Sequence, residues 1–341
     1  MKNILLILVG GTICTALNND GNLSVSQKAG ALIKENFING DSPFAKKVNI
    51  EVSKNLFVLS ENMTVDTWNK IIDTYREYKE NKNYDGIIFA HGTDTLGFSA
   101  ALFAQLLCNT TIPVFFVSAN KPLHSENSNG NANFKAAVEC ICKGISPNVY
   151  VVYKNISDSK TYLHLASRIT QCADYSEDFF SSGMIDISDE NCFEAIARLY
   201  PPHKRKGNLN IKALPALKEC ILMIEPYVGL NYDVFDYSRF SAVLHGTYHS
   251  GTACAIDQNN KNSLLYMIKR CGDTTHIYLT PGENKKGTYE TVAVIGDKVS
   301  FLFGTTRETA YAKLIIAYSV FDNPFDIKEF IETEHNFERI Y

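Results

Sequence analysis

The chain has 341 residues, of which 45% are hydrophobic, and its formal net charge is −4. A chain of this length usually forms more than one compact domain, so we expect two. Nucleic acid is excluded as the main partner, because phosphate binding needs a basic face and the chain has no basic run beyond residues 203–206. Apolar runs of about eight residues are too short for a membrane span.

The N-terminal residues allow two interpretations. The apolar run at 4–9 resembles a short signal peptide, but no Ala-x-Ala cleavage site follows it. A buried parallel strand that ends at a Gly-Gly turn fits these residues better. We therefore expect a cytoplasmic protein whose nine cysteines, scattered without a CxxC pair, are small buried hydrophobic side chains. We predict no structural metal and no cofactor.

Strand and helix patterns alternate along the first half of the chain. This alternation predicts an α/β fold whose larger N-terminal domain, residues 1–200, is a doubly wound parallel sheet with helices on both faces. The predicted strands are 2–9, 48–58, 84–90, 112–117 and 149–153, and the predicted helices are 64–80, 95–108 and 131–143.

The segment 201–212 has no apolar periodicity and is the predicted linker. Beyond it the alternation resumes, which predicts a smaller C-terminal α/β domain over residues 213–341. Its predicted strands are 220–224, 242–244 and 275–279, and its predicted helices are 305–321 and 326–334.

Two short motifs follow buried strands. The first is Gly10-Gly11-Thr12-Ile13, and the second, at 91–95, is His-Gly-Thr-Asp-Thr. Ligands of parallel sheets bind outside the carboxyl ends of the strands, so both motifs are well placed for binding. The first is neither a dinucleotide fingerprint nor a Walker loop. The second opens a helix, whose N-terminus favours an anion, and Asp94 can hold an ammonium there. The alternative interpretations are a tight turn for the first motif and helix capping with a packed histidine for the second.

Together these motifs resemble the L-asparaginase family, the bacterial-type amidohydrolases to which one of the subunits of glutamyl-tRNA amidotransferase also belongs. Five segments occur in the family's order and at similar separations, along most of the chain. They are Gly-Gly-Thr-Ile at 10–13, Ser-Glu-Asn-Met-Thr at 60–64, His-Gly-Thr-Asp-Thr at 91–95, the strand and loop at 114–133, and Arg-Ile-Thr-Gln at 168–171 with Asp-Phe-Phe-Ser at 178–181; the helix at 306–314 resembles the family's C-terminal helix.

The resemblance implies a mechanism for this chain. Thr12 matches the family's nucleophile, whose hydroxyl attacks the side-chain amide of asparagine and releases ammonia, after which water hydrolyses the acyl-enzyme. Thr93 and Asp94 match the second catalytic motif, and backbone N–H groups of the Gly-Gly-Thr loop are expected to stabilise the oxyanion. The positions implied to bind the substrate are Gly11, Ser60, Glu61 and Gly92, with Asp94.

Three positions depart from the family's pattern. The family's lysine falls on Gln171, which cannot accept a proton at neutral pH. The family's loop tyrosine falls on Asn22, whose amide cannot act as a phenol. The aspartate of the family's Ser-Asp-Gly loop is Asn129.

Three functions remain open. The first is a working asparaginase in which Lys154, Lys160 or Tyr162 replaces the missing proton-handling group. The second is an amidohydrolase for another amide, such as a modified or peptidic asparagine. The third is a non-catalytic relative that binds an amino acid. Retention of Thr12, Thr93, Asp94 and Ser60 favours the first two functions, because pure binding needs no paired nucleophilic hydroxyls. Loss of the lysine and the tyrosine favours the second and third.

The resemblance also implies a homo-oligomer, a dimer or tetramer that binds a small amino-acid amide. The loop at 245–252 is glycine-rich, so its two histidines, His245 and His249, are not expected on one face as metal ligands. We expect this loop to contact the active site of a partner chain. Glu283 lies in a second loop, where a solvated turn is the simpler interpretation.

Overall fold

The computed structural model describes residues 1–340 except 18–22, 26–27, 55, 57, 274, 281–294 and 296–298. Backbone contacts divide the chain into two compact units, Met1–Leu214 and Pro215–Tyr341. Among the described helices, none combines the length and the apolarity that crossing a bilayer requires. Asn22 and Glu283 lie outside the described residues.

The first unit is built on a seven-stranded sheet. Its strand order is β4-β1-β5-β6-β7-β8-β9, in which the first five strands are parallel and the last two are antiparallel to their neighbours. A separate two-stranded antiparallel hairpin consists of β2 and β3. The strands are β1 (Lys2–Leu8), β2 (Thr15–Leu17), β3 (Leu23–Val25), β4 (Val48–Val52), β5 (Gly86–Ala90), β6 (Val114–Val117), β7 (Val149–Lys154), β8 (Thr161–Leu165) and β9 (Ile185–Asp186).

The central strands are buried on both faces, as their continuous apolar sequences predict. All residues of β5 and β6 are buried, and so are Ile4–Leu8 of β1. The helices of this unit are α1 (Ala29–Ile38), α2 (Val65–Asn81), α3 (Leu96–Leu106), α4 (Gly130–Lys143) and α5 (Cys192–Leu199).

Strand register brings the two sequence motifs to one edge of the sheet. Leu8 pairs with Ala90, so the chain leaves β1 and β5 at the same level. The extended run predicted at 48–58 is a regular strand only to Val52. Beyond that residue it still pairs with the end of β1, because the Val58 N–H donates to the Val9 carbonyl at 3.1 Å. This irregular pairing delivers residues 59–62 to the same edge.

The second unit is built on a four-stranded parallel sheet of order β10-β11-β12-β13. Its core includes Val243, Leu264, Met267 and Ile277. The strands are β10 (Ile221–Ile224), β11 (Ala242–Gly246), β12 (His276–Thr280) and β13 (Val299–Phe301), and the helices are α6 (Leu264–Cys271), α7 (Arg307–Val320) and α8 (Pro324–Glu332).

The structure contains elements that sequence patterns did not predict: α1, α5, α6, β13, the β2–β3 hairpin and the antiparallel strands β8 and β9. The segment 201–212, predicted as a linker, belongs to the first compact unit, which extends to Leu214. Arg205 donates to the Thr110 carbonyl at 2.9 Å, and Arg76 donates to the carbonyls of Ile211 at 2.8 Å and Leu214 at 2.7 Å.

Candidate active site

Two glycines bring the loops after β1 and β5 into backbone contact. Gly11 has φ +74°, and a Cβ atom added there would lie 2.0 Å from the Gly92 Cα. A Cβ on Gly92 would in turn lie 2.4 Å from the Cβ of Ser60. Only residues without side chains permit this approach, which explains both glycines physically.

Thr12 follows this contact directly and begins a 3-10 turn, Thr12–Cys14. It is half-buried, its carbonyl accepts the Thr15 hydroxyl at 2.9 Å, and Ile13 and Cys14 are buried beside it. The Thr12 side chain therefore sits on a short, well-anchored turn at the carboxyl edge of the sheet.

The N–H groups of the loop do not all remain available for an oxyanion. Gly10 donates its N–H to the Ala90 carbonyl at 3.3 Å, and Gly11 donates to the Val58 carbonyl at 2.9 Å. The N–H groups of Gly10 and Gly11 are therefore not available to stabilise an oxyanion. The expectation from the sequence now applies to the N–H of Thr12.

Ser60 links the third loop to the other two. Its side chain is buried, its hydroxyl donates to Asp94 Oδ2 at 2.8 Å, and its carbonyl accepts the Thr95 hydroxyl at 2.9 Å. Glu61, next in the chain, is exposed. Ser60 and Asp94 are held as a pair, so the two predicted substrate-binding positions are mutually oriented.

Thr93 lies beside the same carboxylate. It is half-buried, and its hydroxyl donates to Asp94 Oδ1 at 3.4 Å. Asp94 therefore receives one hydroxyl on each oxygen while its side chain remains exposed. A carboxylate in this arrangement can still bind an ammonium group.

His91 is a structural residue of this edge. It is completely buried, and burial lowers its pKa to about 4, so the ring is neutral at pH 7. Nδ1 donates to the Gly92 carbonyl at 2.8 Å, and Nε2 accepts the Ser99 hydroxyl at 2.9 Å. Ser99 accepts the Trp68 indole N–H at 2.9 Å, which completes a buried chain from α2 to the motif.

Gln171, which the sequence resemblance aligned with the family's lysine, uses both ends of its amide on backbone groups. Oε1 accepts the Gly97 N–H at 2.7 Å, and Nε2 donates to the Thr93 carbonyl at 2.8 Å. The amide thus satisfies an N–H in the first turn of α3 and fixes the peptide of Thr93. A lysine ammonium, which only donates, cannot accept the Gly97 N–H.

Asn129 also uses both ends of its amide. Oδ1 accepts the Asn120 N–H at 2.9 Å, and Nδ2 donates to the Lys154 carbonyl at 2.8 Å. An aspartate at this position could accept but could not donate. The substitution noted in the sequence therefore has a structural role that connects the loop after β6 to the end of β7.

Two of the three suggested replacements for the lysine, Lys160 and Tyr162, bond to other side chains. Lys160 forms an ion pair with Asp186 at 3.1 Å, and the Tyr162 hydroxyl donates to Asp158 at 2.6 Å. Lys154 supplies the carbonyl that Asn129 binds.

Sequence reasoning missed a cavity of about 360 Å³ beside Thr93 and Asp94. Its walls also include Asn120, which follows β6, and Tyr153, near the carboxyl end of β7. The signal was present, since polar residues at the carboxyl ends of adjacent parallel strands meet at one edge. The remaining wall residues are Gln171, Cys172, Ala173, Ser176 and Glu177.

The histidines of the loop at 245–252 differ in their surroundings. His245 is buried, its Nδ1 donates to the Gly246 carbonyl at 2.5 Å, and its Nε2 accepts the Tyr232 hydroxyl at 2.8 Å. His249 is exposed. Within the part of the chain that the structure describes, no cluster of three or more metal-ligating side chains occurs.

Comparison with known proteins shows the family and the fold of the chain. Residues 3–189, more than half of the chain, match the family model described as asparaginase, N-terminal. The chain is 26% identical over 244 residues to a glutamyl-tRNA(Gln) amidotransferase subunit from Archaeoglobus fulgidus, covering 70% of this chain and 55% of that protein. It is 23% identical over 350 residues to the same subunit from Methanosphaera stadtmanae, covering 97% and 75%. The chain thus spans between about half and three quarters of the length of these relatives.

Two solved structures share the fold. The thermostable L-asparaginase from Thermococcus kodakarensis matches with a TM-score of 0.70 at 18% identity, covering 99% of both chains. L-asparaginase I from Vibrio cholerae matches with a TM-score of 0.72 at 20% identity, covering 100% of this chain and 99% of that one.

Proposed function

This chain belongs to the asparaginase family of amidohydrolases, and we propose that it hydrolyses the side-chain amide of L-asparagine with Thr12 as the nucleophile. The proposal is supported by the contact of three loops at one sheet edge, where Gly11 touches Gly92 and Ser60 donates to Asp94 at 2.8 Å. These contacts bring the loops that carry Thr12, Ser60, Thr93 and Asp94 to the same edge of the sheet.

In the proposed reaction the Thr12 hydroxyl oxygen attacks the amide carbon. The carbonyl oxygen becomes an oxyanion, stabilised by the Thr12 N–H, and a base takes the threonine proton. The C–N bond then breaks, and the nitrogen leaves as ammonia after protonation. Water hydrolyses the ester, regenerating Thr12 and releasing aspartate. Asp94 binds the α-ammonium of the substrate, and Thr93 orients the side-chain amide that reacts.

Ammonia release from L-asparagine tests this function. Thr12→Ala removes the attacking oxygen, so we expect activity to fall at least about a thousandfold. Thr74→Ala is the matched control, because Thr74 is on the outer part of α2 and its hydroxyl bonds to the Lys70 carbonyl at 2.9 Å. Equal activity of Thr12→Ala and the native chain would exclude this nucleophile.

Gln171 supports an alternative, hydrolysis of a different amide such as a modified or peptidic asparagine. Its amide is bonded to Gly97 and Thr93 and cannot serve as a base. Activity on an amide library, with none on free asparagine, would favour this alternative. If no amide is cleaved but an amino acid binds, the chain is a non-catalytic relative. Gained activity in Gln171→Lys would mean that only proton transfer is missing.

We further propose a cytoplasmic homo-oligomer, a dimer or tetramer, with a small amino-acid amide as substrate and neither nucleic acid nor a membrane as partner. In it, the loop at 245–252 contacts the active site of a partner chain. The relatives named as amidotransferase subunits suggest that the released ammonia can serve a second enzyme. A fully active monomer in solution would contradict the oligomer proposal.

A further inference from the structure

Four side chains in the wall of the cavity beside Thr93 already donate a hydrogen bond, the first being Thr93 to Asp94. Asn120 Nδ2 donates to Glu177 Oε2 at 3.0 Å. Gln171 Nε2 donates to a backbone carbonyl at 2.8 Å, and the Cys172 thiol donates to another at 2.8 Å. No lysine or arginine belongs to the described cavity wall.

The groups that remain are mainly acceptors. Two carboxylates, those of Asp94 and Glu177, line the cavity. An anionic ligand group would therefore be repelled, while an ammonium group would find oxygen atoms to bind. Both carboxylates are exposed, so charge alone gives a modest preference.

Tyr153 is an independent indication of a ligand. Its side chain is completely buried and lines the cavity, yet its hydroxyl has no hydrogen-bond partner among the described residues. Burial raises the pKa of Tyr153 to about 12, so the group is a neutral phenol that can both accept and donate. The Asn129 side chain lies close enough to lower the pKa of this hydroxyl, but its amide donates to the Lys154 carbonyl and forms no hydrogen bond with Tyr153 that meets the geometric criteria. Buried polar groups normally have hydrogen-bond partners, so this hydroxyl is available to bond to a polar group of a ligand.

The substituent that reaches this cavity follows by elimination, on the premise of the proposed function. An asparagine derivative presents an α-carboxylate, an α-ammonium and a group on its amide nitrogen. Ser60, Glu61 and Asp94 are assigned to the first two. Only the substituent on the amide nitrogen is left for the space between Tyr153 and Glu177.

We propose that this cavity selects asparagine derivatives whose amide nitrogen carries a short cationic chain, with Tyr153 and Glu177 binding its ammonium group. The enzyme then releases a diamine where free asparagine would release ammonia. The bond that breaks is the same C–N bond, and the departing nitrogen takes up one proton.

Binding to the Thr12→Ala variant separates recognition from turnover. The ligands are N4-(2-aminoethyl)-L-asparagine and its neutral isostere N4-propyl-L-asparagine, compared by titration calorimetry. We expect the cationic ligand to bind about tenfold more tightly, since hydrogen bonds to charged groups are the strong ones. Adding Tyr153→Phe should remove most of this preference, and adding Glu177→Gln should reduce it about threefold.

Equal affinities for the two ligands, or a preference that survives both added substitutions, would overturn the proposal and leave water as the cavity's occupant. Melting curves of Tyr153→Phe verify that it folds. Failure of the hydrolase proposal is recognised separately, as preferential binding without any amide cleavage by the native chain. If the native chain cleaves asparagine but Thr12→Ala binds the two ligands equally, only the proposed cationic subsite is wrong.

Discussion

At the scale of single residues, the contact between Gly11 and Gly92 sets how closely two loops of the site approach each other. The two backbones touch because neither residue has a side chain, so the loops that carry Thr12 and Thr93 lie against each other at this point. Any Cβ at this contact must displace a loop of the site.

Gly11→Ala tests this contact. The added Cβ would meet Gly92 Cα at 2.0 Å, in a backbone conformation of φ +74°. We expect a loss of more than about 3 kcal/mol in the free energy of unfolding, measured by urea titration, together with loss of amide hydrolysis.

The control for that substitution is Gly144→Ala at the end of α4. Gly144 has φ +82°, but an added Cβ would meet no described atom within 4 Å. It should cost only about 1–2 kcal/mol, the penalty of the left-handed conformation itself. Equal losses in the two variants would mean that backbone conformation, and not the close approach, requires Gly11.

The sequence predicted most residues of the candidate site, but it could not predict their hydrogen-bond partners. Gln171 was recognisable as a departure from the family, yet its role depends on Gly97, which lies 74 positions earlier. Tyr153 was part of a predicted strand and gave no sign of a polar function. Its unpaired hydroxyl is a property of the packed neighbours, which a strand pattern does not contain.

At the scale of elements, a buried hydrogen-bond chain joins α2, α3 and the end of β5. Trp68 donates to Ser99, and Ser99 donates to His91, which bonds to the Gly92 carbonyl. The chain connects two helices to the loop that carries Thr93. Its members thus support the site without belonging to it.

Ser99→Ala should break this connection. It leaves the Trp68 N–H and His91 Nε2 buried without their shared partner, so we expect a loss of roughly 2–4 kcal/mol in the free energy of unfolding. The exposed Ser188→Ala is a control and should change it by less than about 0.5 kcal/mol. Urea titration of both variants measures the difference, and similar midpoints would contradict the role of Ser99.

The same scale explains which elements the sequence could predict. Continuous apolar runs identified the buried parallel strands, and long periodic segments identified α2 and α4. β8 was missed because His164 interrupts its apolar residues, although the ring is buried and bonded to Ser181 at 2.9 Å. α1 was missed because its ten residues include glycine and asparagine, which weaken a helix pattern.

At the scale of the whole molecule, buried neutral histidines occur in both units. Burial lowers the pKa of His91 to about 4 and of His164 to about 3 in the first unit, and of His245 to about 4 in the second. An unfolded chain binds these protons near pH 6.5, before the folded chain does. Protonation therefore favours unfolding as the pH falls.

We expect stability to fall as the pH is lowered from about 6.5 toward 4, each histidine contributing about 1.4 kcal/mol per pH unit. Above that window the contribution is fully present. Urea titrations at a series of pH values measure the slope, and His91→Gln should reduce it by the share of one proton. An unchanged slope in His91→Gln would show that unfolding does not change the protonation of His91.

Because the Tyr153 hydroxyl has no hydrogen-bond partner among the described residues, thermal denaturation can also be used to search for the natural ligand. An unpaired buried hydroxyl costs about 1–3 kcal/mol, which a compound that bonds to it recovers. Ligand binding to the folded state alone stabilises it by RT ln(1 + [L]/Kd), so at a fixed concentration a tighter ligand gives a higher melting temperature. A collection of amides can therefore be ranked by melting temperature before any turnover is detected. Compounds that stabilise the native chain but not the Tyr153→Phe variant are those that reach the cavity.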